Sequence, residues 1–286
     1  YCNNIISEYE KSDLYNNFVE LHSDDEIPIV AAIEAWSESK SLNQIAIVGG
    51  YGVGKTSAAR TAQYRIARKY ILKEHDRIPI FIPLGAFVHQ QNIDGLIGYT
   101  LDKISNIPNY SWSRFVQFND SGRFIIFLDG FDEMKHSMTT FDFEFTFNEL
   151  IKLATKNSKI VILGRPTSML TIEEEKRILH GIDSDLLEER KNGINFEIHR
   201  IRPMSKLEYM DFCRGYLMSY YKDMGHAKEN IENLVLKKIV DINNVAISDL
   251  LSRPVQAKML TKIITETDIN IANIPRYKLY KAFIGR

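Results

Sequence analysis

The sequence predicts an α/β fold of three layers, in which helices cover both faces of a mostly parallel central sheet, followed by an all-helical subdomain. Five short apolar runs lie before residue 203, and helical stretches separate most of them. This alternation is typical of parallel sheets. After Ser205 no further strand-like run is convincing. We therefore expect two domains, residues 1–203 and 204–286.

The first apolar run leads into the most specific motif of the chain. Residues 49–56 read GGYGVGKT and fit the phosphate-binding template G-x-x-x-x-G-K-[ST] at every fixed position. Apolar residues 45–48 precede the octet as a strand, and residues 56–70 follow it with helical spacing. This order points a helix N-terminus, which has a partial positive charge, at bound phosphates. The octet therefore predicts a nucleoside triphosphate site.

The octet also predicts which groups contact the nucleotide. Because glycine has no Cβ, the loop N–H groups can approach phosphate oxygens more closely than side chains could. Lys55 adds a positive charge, and the Thr56 hydroxyl is a candidate Mg²⁺ ligand. The expected nucleotide contacts are Gly49, Gly50, Gly52, Val53, Gly54, Lys55, Thr56 and Ser57.

The other four apolar runs are expected to complete the sheet. Pro79 and Pro83 favour the ends or the edge of a sheet for the run 78–84, because proline cannot donate to a strand ladder. The remaining runs are 124–128, 159–163 and 196–201. Parallel strands present functional groups at their carboxyl ends, so the residues after these runs are candidates for chemistry.

Acidic residues follow the run 124–128 in the segment Asp129-Gly130-Phe131-Asp132-Glu133. Asp129 directly ends the strand, as expected of a carboxylate that organises Mg²⁺. A hydrolytic site also needs a carboxylate that polarises the attacking water, and either Asp132 or Glu133 could be that base. The alternative is an ordinary acidic turn after a buried strand.

Arg165 follows the run 159–163 between Gly164 and Pro166. Its guanidinium would project from the same edge of the sheet toward the γ-phosphate and report its presence. The alternative is a surface arginine paired with one of the glutamates 173–175. None of the seven histidines has metal-ligand spacing, and His136 is the one expected nearest the acidic segment.

Helix signals dominate the last third of the chain. Ser205 and Glu208 form a capping-box pattern that opens a helix to about Tyr221. Pro254 suits the first turn of another helix. The further expected helices are 230–240, 247–251, 254–266 and 276 to the end.

Together these residues resemble the NACHT family within the STAND class of P-loop ATPases, whose fold is of the ASCE type. The acidic segment Asp129–Glu133 matches the family pattern in full, and Gly164-Arg165-Pro166 is similar to its Ser-Arg-Pro turn. Arg253-Pro254-Val255 resembles the helical-subdomain proline that touches the nucleotide, which adds Pro254 to the expected contacts. Residues 18–21 resemble the segment beside the adenine.

The resemblance implies a signalling switch with slow, regulatory ATP hydrolysis. ATP or ADP with Mg²⁺ would be the cofactors, and exchange of ADP for ATP would drive self-association through the ATPase domains. An N-terminal effector and a C-terminal sensor of an unknown trigger would lie outside this chain, which opens on Tyr1 and stops within a helical pattern. The frequent Ile, Asn, Lys and Tyr point to an AT-rich genome and, through the resemblance, to bacterial anti-phage defence.

Composition limits the partners and the compartment. Lys and Arg total 36 against 37 Asp and Glu, so no overall field favours nucleic acid or an anionic membrane. The two cysteines cannot form a disulfide framework, and the apolar runs are too short to span a bilayer. We expect a cytoplasmic protein.

Two other functions compete with the switch. One is a AAA+ remodelling ATPase or helicase loader, although in that class the catalytic Glu normally follows the metal Asp directly, where this chain has Gly130. The other is a scaffold that nucleotide stabilises without turnover.

Overall fold

A parallel sheet of five strands forms the centre of the computed structural model. The strands are β1 (Gln44–Val48), β2 (Ile78–Pro83), β3 (Phe124–Asp129), β4 (Lys159–Gly164) and β5 (Phe196–Arg200). The structure describes residues 1–85, 92–107, 109–136, 146, 149–150, 152–165, 195–243 and 248–266.

The strand order is β2-β3-β4-β1-β5, and every neighbouring pair is parallel. The strand β4 therefore lies between β1, which precedes the glycine loop, and β3, which ends in Asp129. This order confirms the predicted ASCE-type sheet. The proline-containing β2 is an edge strand, as predicted from Pro79 and Pro83.

Both faces of the sheet pack against apolar side chains. Alternate side chains of each strand point to opposite faces, so each strand contributes to two cores. On one face Ile45, Ile47 and Phe127 belong to a core that continues into the helices after residue 205. On the other face Ala46 and Ile126 belong to a second core. Burial on both sides explains why the strands read as continuous apolar runs.

The described helices flank the sheet and then form the last part of the chain. In chain order they are α1 (Cys2–Glu10), α2 (Asp13–Asn17), α3 (Ile29–Glu38), α4 (Lys55–Ile71), α5 (Ile93–Gly98), which continues as a π-helical segment (Tyr99–Ile104), α6 (Trp112–Asp120), α7 (Phe131–His136), α8 (Lys206–Asp223), α9 (Lys228–Asn243), α10 (Ser248–Leu251) and α11 (Pro254–Glu266).

The helical part after Ser205 is confirmed where the structure describes it. The capping box at the start of α8 is present, since the Ser205 side chain accepts from the Glu208 N–H and Glu208 accepts from the Ser205 N–H. Helix α9 is longer at both ends than the predicted 230–240. Helix α11 has the predicted bounds. Residues 244–247 and the predicted helix from 276 to the end lie outside the described residues.

The register of the sheet brings the carboxyl ends of the strands to one edge. Val48 pairs with Gly164 on one side and with Arg200 on the other. Pro83 pairs with Asp129. The glycine loop, the acidic segment and Arg165 therefore start from neighbouring points on this edge.

No helix within the described parts of the chain is long and apolar enough to cross a bilayer.

Candidate nucleotide-binding site

The glycine loop between β1 and α4 depends on backbone conformations that favour glycine. Gly52 has φ +74° and Gly54 has φ +98°, both in the left-handed region. A Cβ on Gly54 would stand 2.7 Å from Cδ1 of Leu21, and a Cβ on Gly49 would stand 2.7 Å from Cγ2 of Val53. The chain packs closely behind the loop and leaves its other side to the cleft.

Lys55 begins helix α4 and bends back over the loop. Its Nζ donates to the carbonyl oxygens of Gly49 at 2.7 Å and Gly50 at 3.1 Å. Burial lowers the pKa of Lys55, and the nearby carboxylate of Asp132 opposes that shift. The loop thus presents a half-buried ammonium group beside an acidic segment.

Thr56 and Asp129 meet in front of the loop, although 73 residues separate them in the chain. The Thr56 hydroxyl donates to Oδ2 of Asp129 at 2.9 Å. Burial raises the pKa of Asp129, and the hydrogen bond from Thr56 and the charge of Arg60 oppose the rise. A hydroxyl and a carboxylate are oxygen donors of the kind that Mg²⁺ prefers.

The donor set fits a Mg²⁺ ion that shares its ligands with phosphates. Within the described ranges, no group of three or more His, Cys, Asp or Glu side chains could hold a metal. Mg²⁺ commonly uses one or two protein ligands together with waters and phosphate oxygens. The pair Thr56 and Asp129 meets that need.

Arg165 lies directly after β4 and pairs with the acidic segment. Its Nε lies 2.8 Å from Oδ2 of Asp132, and only 7% of the Asp132 side chain is exposed. The guanidinium carbon also lies 5.3 Å from the centre of the Tyr51 ring. The proposed alternative partners, the glutamates 173–175, lie outside the described residues.

Glu133 is the exposed acid of the segment and turns toward the ends of β2 and β3. Its Oε2 lies 3.1 Å from the position that a Cβ on Gly85 would take and 3.2 Å from that on Gly130. The turn after Asp129 favours glycine at position 130 for two reasons. A Cβ there would crowd Glu133, and the φ of Gly130 is +85°, in the left-handed region. The carboxylate of Glu133 therefore lies over the cleft, whereas Asp132 is buried against Arg165.

These groups line one cleft of about 300 Å³, a volume at the lower end of the range for ligand sites. It joins the loop, the ends of β2, β3 and β4, and the start of α11. Its lining residues are Tyr51, Gly52, Gly54, Lys55, Thr56, Ser57, Pro83, Gly85, Asp129, Gly130, Asp132, Glu133, Arg165 and Val255.

A comparison with protein-family models decides the family. The model of the NACHT domain matches residues 43–184, from the start of β1 to beyond β4. These residues belong to the NACHT family. The family predicted from the sequence is thereby confirmed, and the chain contains a P-loop NTPase module.

One curated relative matches about half of this chain. An uncharacterised WD repeat-containing protein of Nostoc sp. is 28% identical over 154 residues, which is 52% of this chain. The match spans only 10% of that relative's length.

Two solved structures share the fold. The ORC2 protein of Aeropyrum pernix is 12% identical and superimposes with a TM-score of 0.52 over 95% of this chain and 70% of its own. Drosophila ORC bound to DNA is 14% identical, with a TM-score of 0.50 over 99% of this chain and 68% of its own. At such identities the likeness concerns the fold alone.

Four of the predicted nucleotide contacts are not among the residues that line the cleft described above. Gly49 and Gly50 are not among the lining residues, and Gly49 donates its N–H to Gly164 at 3.2 Å. Val53 is buried behind the loop with 5% exposed. Pro254 lies against the loop, where its Cγ is 3.6 Å from the Cβ position of Gly54.

The start of α11 contacts the loop of the NACHT domain through Val255 as well. The Val255 N–H donates to the carbonyl oxygen of Gly52 at 3.4 Å. The upstream segment reaches the loop through Leu21, the last residue of the predicted adenine-side segment 18–21. The helical part and the upstream segment therefore both touch the phosphate-binding loop.

Some cleft residues were not predicted from the sequence. Gly85 and Pro83 lie at the end of β2, and the rule that parallel strands deliver groups at their carboxyl ends could have found them. Tyr51 occupies a variable position of the loop template, so the motif gave no signal for it. The side chain of His136 lies outside the described residues.

Proposed function

We propose that the chain is the ATP-binding and ATP-hydrolysing NACHT module of a STAND signalling switch. The observation that carries this proposal is the 2.9 Å contact between Thr56 and Asp129 in front of the glycine loop. A triphosphate site of this type needs a hydroxyl from the loop helix and a carboxylate from a neighbouring strand at one point. Family membership supports the same site.

Nucleotide binding is assigned to the loop and the start of α4. The ammonium of Lys55 would bind phosphate oxygens, and backbone N–H groups of the glycine loop would donate to the same phosphates. Thr56 and Asp129 would hold Mg²⁺, which when bound neutralises charge on the phosphates. ATP or ADP with Mg²⁺ are therefore the proposed cofactors.

Hydrolysis requires a carboxylate that can take a proton from water, and Glu133 is the better placed candidate. Its side chain lies at the cleft next to Gly85 and Gly130. Asp132 is buried in its ion pair with Arg165. We therefore propose that Glu133 is the base. Asp132 would orient Arg165, whose guanidinium would contact the γ-phosphate.

The switch is assigned to the helical part, which touches the loop through Pro254 and Val255 and would rotate about residues 202–203. A change from 1:99 to 99:1 between two states needs roughly 5.5 kcal/mol of differential binding. Contacts of Lys55, Mg²⁺ and Arg165 with one γ-phosphate could supply much of it. The NACHT domains would then self-associate.

The wider role proposed for the switch is supported by the family and by the relative. The WD repeats in the name of the Nostoc protein support a repeat region outside the NACHT domain that senses a trigger. An effector would lie at the N-terminal side. Defence against phage is the proposed role, on the resemblance and the composition alone.

The test measures nucleotide binding and ATP turnover by this chain and its variants. We expect Lys55→Ala to abolish detectable binding and Glu133→Gln to keep binding while lowering turnover by about 100-fold or more. Lys237→Ala, on the exposed face of α9, is the matched control and should change neither. Bound nucleotide with no turnover in the unaltered chain would favour the scaffold, and tight ATP binding by Lys55→Ala would contradict the site.

A further inference from the structure

Tyr51 is a large aromatic residue at an exposed point of the phosphate-binding loop. Tyr51 is 62% exposed and is one of the loop residues that line the cleft. It lies between Gly50 and Gly52, so the ring has no bulky neighbours in sequence. An exposed ring at this point contributes little to the core and is available for a contact across the cleft.

The ring of Tyr51 contacts the guanidinium of Arg165. The distance of 5.3 Å from the guanidinium carbon to the ring centre is within the range of cation–π interactions. The Nε of the same guanidinium donates to Asp132 at 2.8 Å. Arg165 is thus held from two sides, by the loop after β1 and by the helix after β3.

This arrangement links the orientation of Arg165 to the conformation of the loop. Asp132 is buried and belongs to α7, so its position is fixed by the sheet edge. Tyr51 belongs to the phosphate-binding loop, and Gly52 and Lys55 of the same octet line the cleft. A movement of the loop around phosphates would move the ring and, with it, the guanidinium.

We propose that Tyr51 is a positioning residue that holds Arg165 over the cleft and thereby sets how strongly the site distinguishes a nucleoside triphosphate from a diphosphate. The inference rests on the proposed function, since it concerns the same site. Tyr51 acts through Arg165 and not by contact with the reacting atoms. The aromatic face is the active feature, and the hydroxyl is dispensable.

The test compares the affinities of the full chain for ATP and for ADP by calorimetry in the variants Tyr51→Phe and Tyr51→Leu. Phenylalanine keeps the aromatic face, so it should keep the ratio of the two affinities. Leucine removes the face at similar bulk and should lower the preference for ATP by about two- to fivefold, leaving ADP affinity unchanged. In an Arg165→Met background, Tyr51→Leu should have no further effect on the ratio.

Each outcome decides between distinct explanations. Equal losses of ATP and ADP affinity in Tyr51→Leu would assign Tyr51 to the general shape of the loop and overturn the inference alone. The same fall in the ratio in the Arg165→Met background would also overturn it, because the effect would not pass through Arg165. Absence of ATP binding by the unaltered chain would overturn the proposed function and the inference with it.

Discussion

Gly54 illustrates how one residue of the loop is fixed by both backbone and packing. Its φ of +98° is strained for residues with a side chain, and Leu21 occupies the space that a Cβ would need. Gly225, at the end of α8, has φ +80° with nothing within 4 Å of its Cβ position. A comparison of substitutions at the two glycines therefore distinguishes the cost of the left-handed backbone from the cost of crowding by a neighbouring side chain.

We predict that Gly54→Ala destabilises the chain more than Gly225→Ala does. Gly225→Ala should lower the free energy of unfolding by about 1–2 kcal/mol through left-handed strain alone. Gly54→Ala should cost more, because Leu21 is buried and has little room to move. Urea denaturation of both variants measures the difference, and equal losses would mean that the contact with Leu21 yields without cost.

Lys159 is a buried lysine at the start of β4, at the end of the sheet away from the cleft. Its Nζ donates to the carbonyl oxygen of Ser41 at 2.7 Å and lies 4.5 Å from the centre of the Trp36 ring. Burial, followed by the nearby charge of Arg77, lowers the pKa of Lys159 to about 8. Its charge therefore disfavours folding at neutral pH.

We predict that Lys159→Met is more stable than the unaltered chain at neutral pH and that this difference in unfolding free energy shrinks as the pH rises. Between pH 8 and about 10.5 the unfolded chain binds more protons at this position than the folded chain, so the stability of the unaltered chain increases with pH. At pH 7 the free energy of unfolding of the unaltered chain should be lower than that of Lys159→Met by on the order of 1 kcal/mol, and this difference should shrink over that interval. Denaturant unfolding at several pH values checks this, with Lys237→Met as the exposed control. A pH-independent difference would contradict it.

Helix α8 shows how an element boundary is set by its first turn. The capping box of Ser205 and Glu208 satisfies N–H groups that the helix leaves open. Glu208 also accepts two hydrogen bonds from Arg202. Although burial by itself raises the pKa of Glu208, the bonds from Arg202 and Ser205 outweigh it and lower the pKa to about 2.

We predict that Glu208→Gln destabilises the chain at neutral pH by about 1–2 kcal/mol after solvent screening. Because the native pKa is depressed, the contribution of Glu208 is present above pH 4.5 and is lost as the pH falls through about 2. The stability difference between variant and unaltered chain should therefore narrow below pH 4.5. Glu232→Gln, on the exposed face of α9, should show no such narrowing in the same denaturation series.

The elements predicted from the sequence are those that local patterns define. Continuous apolar runs identified the five strands, and the octet with its flanks identified the loop. The meeting of Thr56 with Asp129 followed from the carboxyl-end rule for parallel strands. The contact of Tyr51 with Arg165 could not be predicted, because it depends on side-chain directions from two loops that no sequence pattern relates. The same reason applies to the ion pair between Arg165 and Asp132.

At the scale of the whole molecule, Arg202 ties three parts of the chain together. It follows β5 and donates two hydrogen bonds to Glu26, which lies upstream of α3, and two to Glu208 of α8. Its own N–H donates to the carbonyl oxygen of His22 at 3.1 Å. The proposed pivot at residues 202–203 is thus bridged by a planar side chain whose fork matches two carboxylates.

We predict that Arg202→Lys loosens this bridge and makes the helical part more responsive to nucleotide. A lysine presents one ammonium group and cannot bind both carboxylates with paired hydrogen bonds. Amide hydrogen exchange over residues 201–208 should be about three- to tenfold faster than in the unaltered chain, whereas Lys206→Ala, an exposed neighbour, should leave the amides outside its own turn unchanged. The exchange difference between ADP-bound and ATP-bound chains should also grow in Arg202→Lys, because less interaction energy opposes rotation about residues 202–203. Unchanged exchange in this variant would mean that the backbone bridge to His22, and not the side-chain fork, fixes the helical part to the sheet.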